Sequence, residues 1–287
     1  MARMAYVNGR YLQHRQAAVH IEDRGYQFGD GVYEVVTVAA GRMIDEGPHL
    51  DRLERSLSEI RIDMPMSRRS LQLVSRELIR RNGVRNGLLY MQVTRGVAPR
   101  EHRFPGQARP SLVMTTKHID FAAQPKFTEG VSIITIPDQR WTRRDIKTIG
   151  LLPNCLGKQA AHEAGAYEAW QVDGDGLVTE GTSSNAWIVT TGGRLVTRHL
   201  GNEILHGVTR RTVLAIAGEE GITLEERPFD IAEAKAAAEA FVTSATSFVT
   251  PVVRIDDIVI GDGKPGPLSR RLLAWYRDYA AGLRDAG

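Results

Sequence analysis

Strands and helices are interspersed along this chain without a strict strand–helix–strand rhythm, and that irregularity constrains the fold most. Residues 4–12 and 16–21 read as short strands around Asn8-Gly9, a hairpin-turn dipeptide. Residues 33–39 and 42–44 read as a second hairpin, turning at Ala40-Gly41. Leu50, Leu53, Leu57 and Ile60 recur at helical spacing, which predicts an amphipathic helix over 49–60. Ser67 can cap a second helix whose apolar face is Leu71, Val74 and Leu78, with Asn82-Gly83 as its stop. Strands follow at 88–94 and 111–116. Beyond them come a strand at 131–136, a helix over 153–164 and strands at 168–172 and 185–189. Gly192-Gly193 makes a turn, and the chain continues with helices near 209–219 and 231–238 and a strand at 240–244. A terminal helix over 268–283 carries Leu272, Trp275 and Tyr279. The stretch 118–130 has weak periodicity and contains Ala122-Ala123-Gln124-Pro125. The division expected is therefore a domain over 1–118, a linker over 119–130 and a domain over 131–287, both domains α+β.

A length of 287 residues accommodates two such domains, and 42% apolar with 25% charged residues is a globular balance. No run of about eighteen apolar residues exists to span a membrane. Met1-Ala2-Arg3-Met4-Ala5-Tyr6 leads straight into a strand without a signal-peptide core. The single cysteine, Cys155, excludes an intrachain disulfide framework and any Cys-based zinc site; it reads as a small packing residue, and the location expected is cytoplasmic. A net charge of +3, with arginines spread through the helices, argues against nucleic acid as the main partner. Arg143-Arg144 reads as a solvated basic turn that could also draw an anionic substrate.

Two short segments carry chemistry. In Asp145-Ile146-Lys147 the lysine sits among Ile146, Thr148, Ile149, Leu151 and Leu152, where desolvation would lower an amine's pKa and free its lone pair for an aldehyde. Downstream, Thr179-Glu180-Gly181-Thr182-Ser183-Ser184-Asn185 offers a carboxylate before a hydroxyl-rich turn. Pyridoxal phosphate needs a Schiff-base lysine and an acidic partner for its ring nitrogen, and Lys147 and Glu180 fit those roles. Taken separately, the first segment is an ordinary strand end and the second an ordinary polar turn.

Their order and surroundings change the reading. With Asn154-Cys155-Leu156-Gly157-Lys158-Gln159 lying between them, the stretch 140–188 resembles the fold-type IV pyridoxal phosphate aminotransferases, and the resemblance extends over nearly the whole chain. It implies a smaller N-terminal α/β sandwich-like domain and a larger C-terminal β-barrel-like domain with helices, the latter carrying the Schiff-base lysine. His49-Leu50-Asp51-Arg52-Leu53 is similar to the family run whose arginine grips the cofactor phosphate, which implies that role for Arg52. Leu205-His206-Gly207-Val208-Thr209-Arg210 is similar to the segment that brings N–H groups to the phosphate. There Val208 and Thr209 would donate and Leu205 would press on one ring face. Ser183 is also carried over as a cofactor contact. Ser244 and Ala245, in Thr243-Ser244-Ala245-Thr246-Ser247, complete the phosphate set, although many relatives have a second hydroxyl at the position of Ala245.

Gly25-Tyr26-Gln27-Phe28-Gly29-Asp30-Gly31-Val32-Tyr33-Glu34 resembles the D-amino acid aminotransferase form of the family's first motif. Arg95-Gly96-Val97-Ala98-Pro99-Arg100-Glu101-His102 carries that subgroup's Arg-X-His spacing. The resemblance implies an α-carboxylate trap of Tyr33 from one subunit with Arg100 and His102 from its homodimer partner. On an extended loop that spacing puts both side chains on one side. It also implies ping-pong transfer from D-amino acids of the D-alanine, D-glutamate and D-aspartate type to 2-oxoglutarate or pyruvate. Within the family, branched-chain and (R)-amine aminotransferases are the alternatives, and a non-catalytic binding protein on the same scaffold is the alternative from another class. No metal is expected.

Overall fold

In the computed structural model, which describes residues 3–283, Asn8 and Gly9 turn β1 (Met4–Val7) into β2 (Arg10–Gln13), with φ of 45° and 93°. Both values suit the mirror-image turns that match strand twist. The strand expected over 16–21 does not form. β2 ends at Gln13, and Val19 and Ile21 are exposed, so their apolar side chains have no core to face. A short helix not anticipated from sequence, α1 (Arg24–Phe28), follows instead. It is capped by Asp23, whose side chain accepts from the Gly25 N–H at 2.8 Å, and it ends on left-handed Gly29.

β3 (Gly31–Ala39) returns through Ala40 and Gly41 to β4 (Arg42–Met43). The two expected helices are α2 (Glu46–Glu59) and α3 (Arg68–Arg81), the second capped by the Ser67 hydroxyl on the Ser70 N–H at 3.2 Å. β5 (Gly87–Thr94) and β6 (Ser111–His118) join the first four strands in a six-stranded antiparallel sheet in the order β2-β1-β6-β5-β3-β4. Leu50, Leu53 and Leu57 of α2 and Leu71 and Leu78 of α3 share one buried cluster with Val36, Leu89, Met91 and Met114 of that sheet.

The chain divides into two compact units, and the first contains everything up to Ala122 together with Ile146–Leu151. Lys147, expected with residues 131–287, thus belongs to the first unit. Its segment is held there by backbone bonds, Tyr33 N–H to the Lys147 carbonyl at 3.0 Å and Ile149 N–H to the Gly31 carbonyl at 3.1 Å. Ile146 is buried in the same core.

The second unit, Ala123–Asp145 and the residues from Leu152 onward, is built on a nine-stranded mixed sheet. Its elements in order are β7 (Val131–Pro137), α4 (Leu152–Glu163), β8 (Glu168–Val172), β9 (Val178–Gly181), β10 (Asn185–Val189), β11 (Leu195–Thr197), α5 (Val208–Glu219), β12 (Leu224–Glu226), α6 (Ile231–Lys235), β13 (Glu239–Ser244), β14 (Phe248–Ile255), β15 (Ile258–Val259) and α7 (Pro267–Ala281). The strand order is β12-β11-β10-β13-β14-β7-β8-β9, with β15 added against β14. Five strand spacings separate β9 from β10 in that order, about 24 Å in a flat sheet. Yet only Thr182, Ser183 and Ser184 join the two strands, a link that reaches about 14 Å at full extension. The sheet therefore curls.

Strands β9, β11, β12, β14 and β15 were not anticipated. β14 is hidden in sequence by Pro251, a residue that argues against a central strand. In the fold Pro251 pairs with Phe241 on β13 and lies one residue before the ladder to β7 opens at Val252. Cys155 stands exposed on α4 rather than packed, and α6 stops at Lys235, short of the expected 238. No helix among the described residues is long and apolar enough to cross a membrane.

Candidate active site

In the first unit the register of β3 against the 146–151 segment decides the arrangement. The pairing of Val32 with Thr148 sets Lys147 beside Tyr33, and the lysine Nζ lies 4.2 Å from the centre of the Tyr33 ring. Lys147 is half-buried, and its backbone N–H donates to Ser56 Oγ at 3.4 Å. One residue along β3, Glu34 points the opposite way into the core and is fully buried. It accepts from Arg52 Nε at 2.7 Å and Arg52 Nη2 at 2.8 Å, and its second oxygen lies 2.7 Å from His49 Nδ1. Burial alone would raise the Glu34 carboxyl. The charge and hydrogen bonds of Arg52, with those of His49, outweigh it and bring the pKa down to about 2. Arg52, 9% exposed, is therefore a fixed cation oriented by a bidentate pair, and not the solvent-facing charge a bare helix position would suggest.

Arg100 and His102 lie in the same unit on the long connection from β5 to β6. Both stack on Phe28: the Arg100 guanidinium carbon is 4.6 Å from its ring centre, and the His102 ring centroid is 5.5 Å away. Both side chains are exposed. Among the described residues neither makes a side-chain hydrogen bond or ion pair, and none joins them to Lys147 or Tyr33.

In the second unit Glu180 is the penultimate residue of β9 and is buried. Arg140 Nη1 donates to its Oε1 at 2.5 Å, while the Asn185 side-chain amide and the Leu205 N–H donate to its Oε2 at 2.9 and 3.0 Å. Burial would lower the Arg140 pKa, but attraction to Glu180 and its bond to Asp138 raise it, so the pair is ionic. Asn185 also donates to the Leu205 carbonyl at 3.0 Å, and a Cβ on Gly207 would lie 2.0 Å from Asn185 Oδ1. Only glycine fits where α5 begins. No side chain caps that helix, and the buried Val208 and Thr209 amides carry no hydrogen bond among the described residues. Buried, uncapped amides at a helix start suit an anion.

Register brings the remaining segment to the same place. Asn185 pairs with Thr243 across β10 and β13, so the turn after Ser244 emerges beside the Glu180–Asn185 cluster. Ser244 Oγ accepts from the Ser247 and Thr246 N–H groups at 3.1 and 3.3 Å. Lys126, which sequence reasoning passed over, donates to the Thr246 carbonyl at 3.0 Å and to the Tyr167 hydroxyl at 3.1 Å; burial, then Lys158, draws its pKa down to about 8. Ser183 is engaged within its own unit. Its hydroxyl donates to Glu168 at 3.2 Å, and Thr182 and Ser184 donate to the same carboxylate. Lys158 lies 3.7 Å from Glu168 and donates to the Tyr167 carbonyl, a tie within the unit. Arg143 and Arg144 are paired with Asp145 and Asp138 rather than solvated.

Arg140 and Glu34 were also missed from sequence, because nothing in their local pattern tells of a partner forty or eighteen residues away. Asn185 was legible only as the last residue of the Ser-Ser-Asn run. The donor set fits a phosphorylated pyridine. A carboxylate fixed in its ionised form can receive a ring N–H, and the open α5 amides can receive a phosphate.

The family model described as Amino-transferase class IV matches residues 31–255. The chain belongs to this family. Among curated relatives, the D-alanine aminotransferase of Bacillus licheniformis is 43% identical over 92% of this chain and 93% of its own. That of Staphylococcus haemolyticus is 39% identical over 96% of both chains. Among solved structures, a T.th. branched-chain amino acid aminotransferase with pyridoxamine 5′-phosphate superposes with a TM-score of 0.92 over 99% of this chain and 96% of that one. At 24% identity this likeness establishes the fold-type IV architecture and no more.

Proposed function

We propose that this class IV aminotransferase moves the amino group of D-alanine, and of acidic D-amino acids such as D-glutamate and D-aspartate, to 2-oxo acids such as 2-oxoglutarate or pyruvate. The observation that carries the reading is the pair of D-alanine aminotransferases at 43% and 39% identity over more than nine-tenths of each chain. The exposed Arg100 and His102 favour it further, since a guanidinium and an imidazole that stack on Phe28 but make no side-chain hydrogen bond or ion pair among the described residues suit a carboxylate. A branched-chain reading has only the shared fold behind it.

When bound, pyridoxal phosphate supplies an aldehyde carbon for the amino group and a ring that withdraws electrons from the substrate's Cα. The chain's own residues do the rest. Lys147 Nζ would hold the cofactor through its aldehyde carbon and, when free, would move the proton from the substrate's Cα to that carbon as general base and acid. Glu180, kept anionic by Arg140, holds a proton on the ring nitrogen. Arg52, the Val208 and Thr209 amides, and Ser244 with the Ala245 N–H hold the phosphate. Leu205 supplies an apolar surface to the ring, and Ser183 acts at one remove by tying its turn to Glu168. Tyr33 with Arg100 and His102 orients the α-carboxylate. In this reading the protein is a cytoplasmic homodimer in which the arginine and histidine serve the partner's lysine.

The test mixes holoenzyme with D-alanine and 2-oxoglutarate and detects pyruvate. Rapid pyruvate formation, with L-leucine left unconsumed, is the expected result. Turnover of L-leucine and not of D-alanine would replace this reading with the branched-chain one. Borohydride reduction of the same preparation followed by peptide mapping should place the label on Lys147, and a label on Lys158 would refute the assignment.

A further inference from the structure

We propose that Arg24 is a positioning residue that fixes the backbone of Arg100-Glu101-His102 and so sets the geometry of the carboxylate-binding pair. The proposal rests on the reading that Arg100 and His102 hold the substrate carboxylate. The connection that carries them, residues 95–110, is long and has no helix of its own, so something else must order it. Its base is pinched where Gly96, at φ 92°, lies so close to the Arg109 carbonyl that a Cβ would sit 1.9 Å from the oxygen. Its far end is held by Arg24.

The Arg24 side chain is only 3% exposed, and its guanidinium serves three directions at once. Nε donates to Asp30 Oδ2 at 2.7 Å, Nη1 to the Glu101 carbonyl at 2.5 Å and Nη2 to the His102 carbonyl at 3.4 Å. Its guanidinium carbon lies over Phe28, 4.6 Å from the ring centre, the same ring on which Arg100 and His102 rest. Arg24 is itself anchored. Its backbone N–H donates to the Gly96 carbonyl at 2.9 Å, and Asp30 is gripped from the other side by Arg95 through Nε at 2.8 Å and Nη2 at 3.0 Å. Arg95 reaches on to the carbonyls of Ile60 and Arg61 at the end of α2. One rigid chain of charge-assisted bonds thus runs from the helix to two carbonyls flanking the trap. A planar fork can bridge two carbonyls and a carboxylate, whereas a lysine ammonium cannot match that geometry.

The experiment compares Arg24→Met, Arg24→Lys, Arg100→Ala and the double variant Arg24→Met/Arg100→Ala as holoenzymes. KM and kcat for D-alanine are measured, together with amide hydrogen exchange over 97–104. Arg24→Met should raise KM about tenfold, equivalent to about 1.4 kcal/mol, with a much smaller change in kcat and faster exchange confined to that segment. Arg24→Lys should fall between it and the parent. In the Arg100→Ala background the KM effect of Arg24→Met should shrink, because one residue acts through the other. If Arg100→Ala leaves KM unchanged, the carboxylate reading fails, and the proposal fails with it even where exchange quickens. If Arg100→Ala raises KM while Arg24→Met changes neither KM nor exchange, or adds to it in full, the positioning role alone is overturned. Failure of both Arg24 variants to fold would likewise overturn it, as Arg24 would then be part of the framework.

Discussion

Replacing Glu34 with glutamine isolates the charge that orients Arg52. Glu34 is fully buried and its pKa is brought from 4.5 to about 2 by Arg52 and His49. A lowered carboxylate pKa stabilises the fold above the unfolded-state value, and that stability disappears as pH falls through the folded value. The 2.5-unit difference (4.5 − 2) corresponds to about 3 kcal/mol at neutral pH. With both values inserted, about 1.4 kcal/mol of this remains at pH 3 and almost nothing below pH 2. Glu34→Gln removes the ionisation and with it the carboxylate charge that grips the buried Arg52 cation. The variant should therefore lose about 3 kcal/mol against the parent at pH 7, and the gap should narrow by more than half by pH 3. Urea unfolding of parent and variant, measured in parallel from pH 7 to pH 3, provides the difference curve. Other titrating groups cancel in that difference because both proteins share them. A gap that stays constant across this range would refute the buried ion pair as the source of the stability.

Glu180→Gln should lower turnover by at least about tenfold, some 1.4 kcal/mol of barrier, while the cofactor's absorbance is kept. Asp138 still pairs with Arg140, so folding should suffer less than catalysis, and near-normal turnover in a cofactor-loaded variant would remove Glu180 from the mechanism. Gly207→Ala drives a methyl against Asn185 Oδ1 and must displace the amide that holds Glu180. A stability loss of about 1–3 kcal/mol with weakened cofactor retention is expected, and a variant that keeps both parental values would show that Asn185 can yield.

Sequence alone determined the elements whose signals are local. The leucine spacing of α2, the Ser67 cap of α3, the Asn8-Gly9 turn and the strands β8 and β10 each depend on residues within a few positions of one another. Motif resemblance added the family and the candidate residues Lys147, Glu180, Arg52, Arg100 and His102, because runs such as Glu-Gly-Thr-Ser-Ser-Asn are contiguous. What only tertiary structure decided are the partners. Pro251 and the short lengths of β9, β11 and β12 hide those strands from any local reading, and pairing with neighbours elsewhere in the chain stabilises them. The resemblance implies a place for Lys147 in the later half of the chain. Its backbone bonds to Gly31 and Tyr33 carry it back to the first unit, since a strand joins whichever edge satisfies its N–H and carbonyl groups. Arg140 against Glu180, Glu34 against Arg52, and Arg24 against the carbonyls of Glu101 and His102 follow the same logic. A buried charge must find a counter-charge or a dipole, and which one it finds depends on chain crossings that no window of sequence contains.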